Sequence, residues 1–152
     1  MSKTTSDLSV GSIAPAFTLS DAAGNKVTLR DLVKEKKVVL IFYPGDMTPG
    51  CTMQLCAVRD DWKNFEQAGI SVFGVNHANA VSHDKFAQKY HFPFPLLIDA
   101  DLSVSEKYGA IKKIFRKTVI KRTVVGISTD GTIVYYRHGI PKNTDILKAF
   151  KS

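Results

Sequence analysis

The sequence predicts a mixed α/β fold, a central sheet with helices on both of its faces. Strand-like segments alternate with segments of helical spacing, and the apolar run at residues 38–43 is typical of a central strand covered on both sides. An Asp130–Gly131 turn between two further β-rich segments adds a late antiparallel hairpin. Since no repeat or linker interrupts the chain, we expect one domain over residues 1–152.

Each element follows from a local pattern. Two β-rich segments, at 17–20 and 26–29, flank a turn at 23–25 and predict an N-terminal β-hairpin. Apolar residues at three- and four-residue intervals predict a helix over residues 51–67. The other predicted elements are strands at 71–75, 96–98, 122–128 and 132–137, a helix at 82–90 and a short helix at 144–150.

Composition excludes several classes of protein. The chain has 152 residues, is 44% hydrophobic and contains two cysteines. A domain of this length buries about 68–70% of its unfolded surface, so it needs no disulfide scaffold. The apolar run at 38–43 is too short to cross a bilayer, and the polar residues 1–7 lack the apolar stretch of a secretory signal. We therefore expect a cytoplasmic protein with no membrane partner.

The positive charge is concentrated in one segment. Six lysines and arginines and no acidic residue lie between Lys112 and Arg122, and they account for almost all of the net charge of +7. A nucleic-acid patch is one interpretation, but the segment has no recognition motif or array of stacking aromatics. We favour a solvated basic loop that aids docking with an acidic partner, and we expect no nucleic-acid partner.

Residues 43–56 carry the chemistry. They join the end of the predicted buried strand to the start of the long helix, where Thr48 suits the N-cap and Pro49 the first helical position. Cys51 then falls in the first turn, near unpaired N–H groups and the positive end of the helix dipole. That position stabilises the thiolate, which is the nucleophilic form. The alternative is a buried structural cysteine.

The spacing of Cys51 and Cys56 sets a geometric limit. In an ideal helix, residues five apart have Cα atoms roughly 8.7 Å apart, whereas a disulfide needs about 7 Å or less. A Cys-x-x-Cys pair would have Cα atoms roughly 5 Å apart, within that limit. The pair therefore predicts that Cys51 reacts first and that a helical turn unwinds before Cys56 joins it. The alternative for Cys56 is a small apolar core residue.

The segment from Pro44 to Cys51 resembles the active-site motif of the peroxiredoxins, Pro-x-x-x-Thr/Ser-x-x-Cys. These are thiol peroxidases with a thioredoxin-like fold. A second cysteine five residues on is similar to the Q-type branch, also called the bacterioferritin-comigratory type. Residues 11–19, 82–87 and 92–99 also resemble segments of the family.

The resemblance implies a role for each motif residue. Cys51 would attack a peroxide oxygen and become a sulfenic acid, Thr48 would hydrogen-bond the peroxide and the sulfur, and Pro44 would shield the pocket from water. The family also uses an arginine from a later strand, for which Arg122 is the best match. A permanent cation there would stabilise the thiolate and donate to a peroxide oxygen. The alternatives are Arg116 and Arg137, or a surface role for Arg122.

Two departures from the family pattern stand out. Residues 124–128 read Val-Val-Gly-Ile-Ser where the family usually shows Thr-Phe-Leu-Ile-Asp. Gly126 inside a strand predicts a bulge or a close backbone contact. Gln54 replaces the acidic residue that is common after the Cys-Thr pair, which alters the expected hydrogen-bond network but not the nucleophile.

The resemblance also implies the reaction cycle and its partners. Hydrogen peroxide or a small organic hydroperoxide would be reduced, Cys56 would form an intramolecular disulfide with Cys51, and thioredoxin or a glutaredoxin-like donor would recycle it. Such an antioxidant enzyme needs no cofactor. The four histidines show no metal-ligand spacing with the cysteines, so we expect no metal site. Relatives of this type imply a monomer.

Other functions stay open from the residues alone. A disulfide oxidoreductase would share the fold, although the five-residue cysteine spacing counts against it. A tyrosine phosphatase needs an arginine six residues after its nucleophile, where this chain has Ala57. A non-enzymatic basic binding module is the third possibility.

Overall fold

The buried strand predicted at residues 38–43 lies inside a seven-stranded mixed sheet. In the computed structural model, which describes residues 8–151, this strand is β3 (Lys37–Phe42). The order is β2-β1-β5-β4-β3-β8-β9, and β3 pairs parallel with β4 and antiparallel with β8. The predicted α/β class, with a mixed sheet flanked by helices and an N-terminal hairpin, is confirmed. Residues 1–7, on which the expectation about a secretory signal depends, lie outside the described residues.

The elements occur along the chain in the following order: β1 (Thr18–Asp21), β2 (Lys26–Thr28), α1 (Leu29–Val33), β3 (Lys37–Phe42), α2 (Pro49–Asp60), α3 (Trp62–Gln67), β4 (Ile70–Asn76), α4 (Ala80–Tyr90), β5 (Leu96–Ile98), α5 (Ser103–Lys107), β6 (Ile111–Ile114), β7 (Lys117–Ile120), β8 (Thr123–Ile127), β9 (Ile133–His138) and α6 (Asn143–Ala149).

The core is divided between the two faces of the sheet. Successive residues of a strand point to opposite faces, so Leu40 and Ile41 belong to different clusters. The hairpin-face core contains Leu40 with Phe17 and Tyr108. The cysteine-face core contains Ile41 and the buried residues of α2, α3, α4 and α6: Cys51, Leu55, Val58, Phe65, Phe86 and Ile146. Helix α2 therefore packs on one face of the sheet only.

Three predictions about elements were wrong in detail. The helix predicted over 51–67 is two helices, α2 and α3, because Asp61 between them has φ −105° and ψ 17°, outside the helical region. The short helices α1 and α5 were not predicted. The basic segment 112–122, interpreted as a loop, contains the antiparallel strands β6 and β7, which form a separate two-stranded sheet. The three β-branched residues of β7, Thr118, Val119 and Ile120, are the signal that could have indicated a strand there.

The prediction for Gly126 is confirmed. The register between β8 and β9 shifts between Gly126 and Ile127, which marks a bulge. A Cβ at position 126 would lie 2.9 Å from Phe150 Cζ and 3.1 Å from Tyr135 Cβ. The glycine therefore lets the aromatic ring that follows α6 pack directly on the backbone of β8. Among residues 8–151, no helix is long and apolar enough to span a membrane.

Candidate active site

The loop between β3 and α2 places Thr48 at the start of the cysteine helix. Thr48 has extended backbone angles (φ −78°, ψ 147°), and Pro49 is the first helical residue, as predicted. The Thr48 carbonyl accepts from the N–H of Thr52 at 2.9 Å. Its hydroxyl makes no capping bond and donates instead to the carbonyl of Gly45 at 3.2 Å. Thr48 therefore occupies the N-cap position, but its hydroxyl orders the loop and does not cap the helix.

Cys51 lies in the first turn of α2 and has no exposed surface. Cys56 lies on the same helix and is half-buried, and both thiols are free. The helix is continuous from Pro49 to Asp60, so ideal geometry keeps the two Cα atoms roughly 8.7 Å apart. The expected placement of both cysteines on one continuous helix, with neither in a disulfide, is therefore observed, and the unwinding step stays a prediction.

Arg122 reaches α2 from the residue immediately before β8. Its Nη1 donates to Gln54 Oε1 at 3.2 Å, and Gln54 is only 4% exposed. A Cβ at position 50 would lie 2.7 Å from Arg122 Nη2. The guanidinium therefore lies against the residue that precedes Cys51, where a glycine makes room for it. Gln54 keeps a hydrogen bond to the arginine without adding the negative charge of the acidic residue that it replaces.

The two alternative arginines occupy other places. Arg116 is exposed between β6 and β7, and Arg137 is exposed on the edge strand β9. Of the three candidates, Arg122 is the one with a hydrogen bond to a residue of α2.

Pro44 lies at a surface groove of about 490 Å³ that joins the candidate site to the β6–β7 hairpin. The residues lining it are Pro44, Lys112, Ile114, Val119, Ile120, Lys121, Arg122, His138 and Gly139. Burial and the neighbouring Lys121 lower the pKa of His138, so its ring is neutral at pH 7. A second groove, of about 840 Å³, contains Lys148 and Lys151 in its wall and none of the site residues.

The sequence analysis missed a buried polar cluster around Asp46. Tyr43 Oη and Asn76 Nδ2 donate to Asp46 Oδ1 at 2.6 and 3.1 Å. Ser82 Oγ donates to Oδ2 at 2.7 Å, and His83 Nδ1 lies 2.7 Å from the same oxygen. Burial would raise the pKa of Asp46, but the hydrogen bonds from His83, Tyr43 and Ser82 hold it below its ordinary value. The carboxylate is therefore ionised at neutral pH.

His83 completes this cluster. Its Nε2 lies 2.9 Å from the carbonyl oxygen of Leu97, which can only accept, so this nitrogen carries a proton. Its Nδ1 lies at salt-bridge distance from the ionised carboxylate of Asp46. The pair ties the active-site loop to α4 and β5. The available signal was a histidine three residues before Phe86, on the buried side of α4.

Tyr43 connects the Asp46 cluster to the thiol. Its burial, together with the adjacent Asp46 and the nearby Cys51, raises the pKa of Tyr43 far above its usual range. Its hydroxyl therefore stays protonated and keeps donating to Asp46. Among residues 8–151, no group of three or more histidine, cysteine or acidic side chains is arranged to hold a metal ion.

Comparison with known proteins gives the family. Residues 10–136 match the AhpC/TSA family. The putative peroxiredoxin bcp of Coxiella burnetii is 44% identical over 130 residues, which cover 83% of this chain and 85% of that protein. The chloroplastic peroxiredoxin Q of Triticum aestivum is 41% identical over 128 residues, 84% of this chain, and the chain spans 58% of the wheat protein.

Solved structures agree with this assignment. Peroxidoxin BcpB from Mycobacterium tuberculosis aligns with a TM-score of 0.88 at 30% identity, covering 95% of this chain and 97% of that one. Peroxiredoxin Q from Xanthomonas campestris aligns with a TM-score of 0.83 at 29% identity, covering 97% and 98%. The chain belongs to the AhpC/TSA family and, within it, to the Q or bacterioferritin-comigratory type of peroxiredoxins, which are thiol peroxidases with a thioredoxin-like fold.

Proposed function

We propose that Cys51 is the nucleophile of the thiol-peroxidase reaction and that hydrogen peroxide and small organic hydroperoxides are its substrates. The observation that carries the proposal is the position of a free cysteine in the first turn of α2, with the Arg122 guanidinium against Gly50. The Cys51 thiolate attacks one peroxide oxygen and the O–O bond breaks. Cys51 becomes a sulfenic acid, and the other oxygen leaves as water or an alcohol after taking up a proton.

The neighbouring residues have separate roles in this step. Arg122 donates to the peroxide and stabilises the negative charge that moves from sulfur to the leaving oxygen. The Thr48 hydroxyl donates to Gly45, and its oxygen still accepts a hydrogen bond from the peroxide O–H. Pro44 separates the thiol from the solvent-filled groove. Asp46 and His83 hold the loop that carries Pro44 and Thr48.

Cys56 resolves the sulfenic acid. Its thiolate attacks the Cys51 sulfur, the S–O bond breaks as the disulfide forms, and the hydroxide takes up a proton and leaves as water. Because α2 holds the two residues too far apart for a bond, the first turns of the helix must unwind before this attack. Thioredoxin or a glutaredoxin-like dithiol then supplies two electrons and restores both thiols.

The same proposal covers the setting of the enzyme. A cysteine pair that must be reduced in every cycle belongs in a compartment with a dithiol donor, which favours a cytoplasmic location. We assign the antioxidant reaction to a monomer with a single domain over residues 1–152, because both cysteines of the cycle lie on one helix.

Two single variants test the assignment. Cys51→Ser should abolish peroxide consumption in the presence of dithiothreitol, whereas Cys56→Ser should still consume about one equivalent per chain in a single turnover. Mass spectrometry after one equivalent of peroxide should show a Cys51–Cys56 link within one wild-type chain. Retained turnover in Cys51→Ser, or a link between two chains, would refute the proposal. Turnover of insulin disulfides in place of peroxide would assign the site to disulfide exchange.

A further inference from the structure

The β6–β7 hairpin carries an exposed apolar tip. It forms its own two-stranded sheet, with Ile114 paired opposite Lys117. Phe115 follows β6 with a φ of 58° and is 99% exposed, and Ile114 is 46% exposed. The exposed apolar surface of these two side chains does not contribute to the stability of the folded chain. The tip therefore has the properties of a contact surface.

The tip is surrounded by positive charge. Lys112, Lys113, Arg116 and Lys117 are all exposed, and no acidic residue occurs from position 111 to 122. Lys112 and Lys113 are successive residues of β6, opposite Val119 and Thr118 of β7. Because successive residues of a strand point to opposite faces, each face of the hairpin carries a lysine. A surface with this charge is complementary to an acidic partner.

The hairpin also borders the candidate active site. Lys112, Ile114 and Val119 line the same groove as Pro44 and Arg122. A molecule seated on the hairpin therefore also contacts Pro44 and Arg122, two residues of the candidate site. The site needs one macromolecule at this place in every cycle, the protein that reduces the disulfide.

We propose that the β6–β7 hairpin is the docking surface for an acidic dithiol protein that reduces the Cys51–Cys56 disulfide. The inference rests on the proposed function. Phe115 enters an apolar pocket of the partner, and the lysines around it pair with acidic side chains at the rim of the contact. One partner thiolate attacks the disulfide and forms a mixed disulfide. The second partner thiolate then displaces the enzyme thiol, so the partner leaves oxidised and both enzyme cysteines are reduced.

The shape of the basic surface favours a protein partner over an anionic membrane. Lys112 and Lys121 line the concave groove behind the tip, where a flat lipid surface does not reach. A convex partner with acidic side chains contacts both the tip and this groove. Nucleic acid is disfavoured because the tip presents one aromatic ring, and single-strand binding depends on successive stacked bases.

Charge reversal on the hairpin separates docking from chemistry. In Lys113→Glu/Lys117→Glu, both changes lie on exposed residues of the hairpin. The matched control is Lys148→Glu/Lys151→Glu, which changes the net charge equally at the second groove. Peroxide-dependent oxidation of NADPH is followed with thioredoxin reductase and a thioredoxin of negative net charge. Turnover driven by dithiothreitol is measured in parallel.

We expect kcat/KM for thioredoxin to fall about tenfold or more in the hairpin variant at low salt, and the difference to shrink at high salt. Turnover with dithiothreitol should stay within about twofold of wild type, and the control variant should match wild type with both reductants. Phe115→Asn, which suits the positive φ of the turn, should also weaken only the thioredoxin reaction.

Three outcomes would overturn the docking proposal. Equal thioredoxin kinetics in the hairpin and control variants would show that the charged surface takes no part in the reaction with thioredoxin. Loss of turnover with dithiothreitol in the hairpin variant would show that the substitutions act on the active site and not on docking. Binding of wild type, but not of the hairpin variant, to vesicles containing phosphatidylglycerol, with unchanged thioredoxin kinetics, would assign the surface to lipid. Absence of peroxide turnover in the wild type with dithiothreitol refutes the proposed function instead.

Discussion

His83 Nδ1 lies 2.7 Å from Asp46 Oδ2, and neither side chain is more than 3% exposed. The two residues are 37 positions apart, one in the loop before the cysteine helix and one in α4. Their pairing joins the loop that carries Pro44 and Thr48 to α4, which packs in the same cysteine-face core as α2. The position of the active-site loop therefore depends on this buried pair and on the neutral donors to Asp46.

Replacing Asp46 with asparagine should destabilise the protein strongly. The amide keeps the shape of the side chain but removes the buried carboxylate charge that His83, Tyr43 and Ser82 bond to, and breaking such a buried pair costs about 3–5 kcal/mol. Urea denaturation at pH 7 measures the change in the free energy of unfolding. The matched control is Asp60→Asn, because Asp60 pairs with Arg59 at the surface with 68% of its side chain exposed. An equal loss in both variants would contradict the role assigned to the buried Asp46–His83 contact.

The decrease in the free energy of unfolding at acidic pH should also depend on Asp46. Its pKa is lower in the folded protein than in the unfolded chain, so the unfolded chain binds more protons as the pH falls. Its contribution is present above about pH 4 and is lost as the pH drops through the folded-state pKa. Unfolding free energies measured from pH 5 to pH 2.5 should therefore fall less steeply in Asp46→Asn than in wild type. Parallel pH profiles would show that Asp46 does not titrate in this way.

Arg122→Lys should slow the reaction with peroxide without unfolding the protein. A lysine keeps the charge but has no guanidinium fork, so it cannot bond Gln54 and extend a second nitrogen over Gly50 at once. We expect the second-order rate constant for hydrogen peroxide to fall about 10- to 100-fold. Stopped-flow fluorescence of Trp62, the single tryptophan, measures it.

The same substitution at the alternative arginines is the control for Arg122→Lys. Arg116→Lys and Arg137→Lys change exposed residues and should react at the wild-type rate. A comparable loss of the peroxide rate constant in either variant would show that the arginine at that position, and not Arg122, is the cation of the active site.

Gly50→Ala should lower activity but not stability. The added Cβ would lie 2.7 Å from Arg122 Nη2, so the guanidinium must move away from the first turn of α2. Alanine favours the helix by up to about 1 kcal/mol over glycine, so the melting temperature should stay equal or rise. We expect the peroxide rate constant to fall about tenfold. Gly45→Ala is the control, because its Cβ would meet Thr48 Cγ2 at an ordinary 3.5 Å.

Oxidation should open the first turns of α2. In the reduced protein the N–H of Thr52 bonds to Thr48 O at 2.9 Å, and a disulfide between Cys51 and Cys56 cannot form while this helix is intact. Hydrogen exchange measured by mass spectrometry should therefore show faster exchange for residues 52–57 after treatment with peroxide. Residues 80–90 of α4 serve as the internal reference. Unchanged protection of residues 52–57 in a chain with the disulfide formed would contradict the unwinding step.

What the sequence could predict depended on local patterns. The apolar run of β3, the Thr48–Pro49 helix start and the glycine bulge at 126 each have a cause within a few residues. The Asp46–His83 pair has no such local cause, because its two residues are 37 positions apart and meet only when the loop packs against α4. The five-residue helices α1 and α5 are too short to show a helical period. The β6–β7 hairpin was not predicted, because four basic residues near its turn are typical of a solvated loop.

Because the core is divided between the two faces of the sheet, the redox cycle requires only a part of the protein to unfold. Cys51, Leu55 and Val58 pack only in the cysteine-face core, and the backbone hydrogen bonds of β3 are made to β4 and β8. Opening the first turns of α2 therefore leaves the strand ladder and the whole hairpin-face core in place. The free energy of this opening is that of one local unit and lies below the free energy of global unfolding. The enzyme can unfold a part of itself in each turnover while the rest of the domain keeps its native packing.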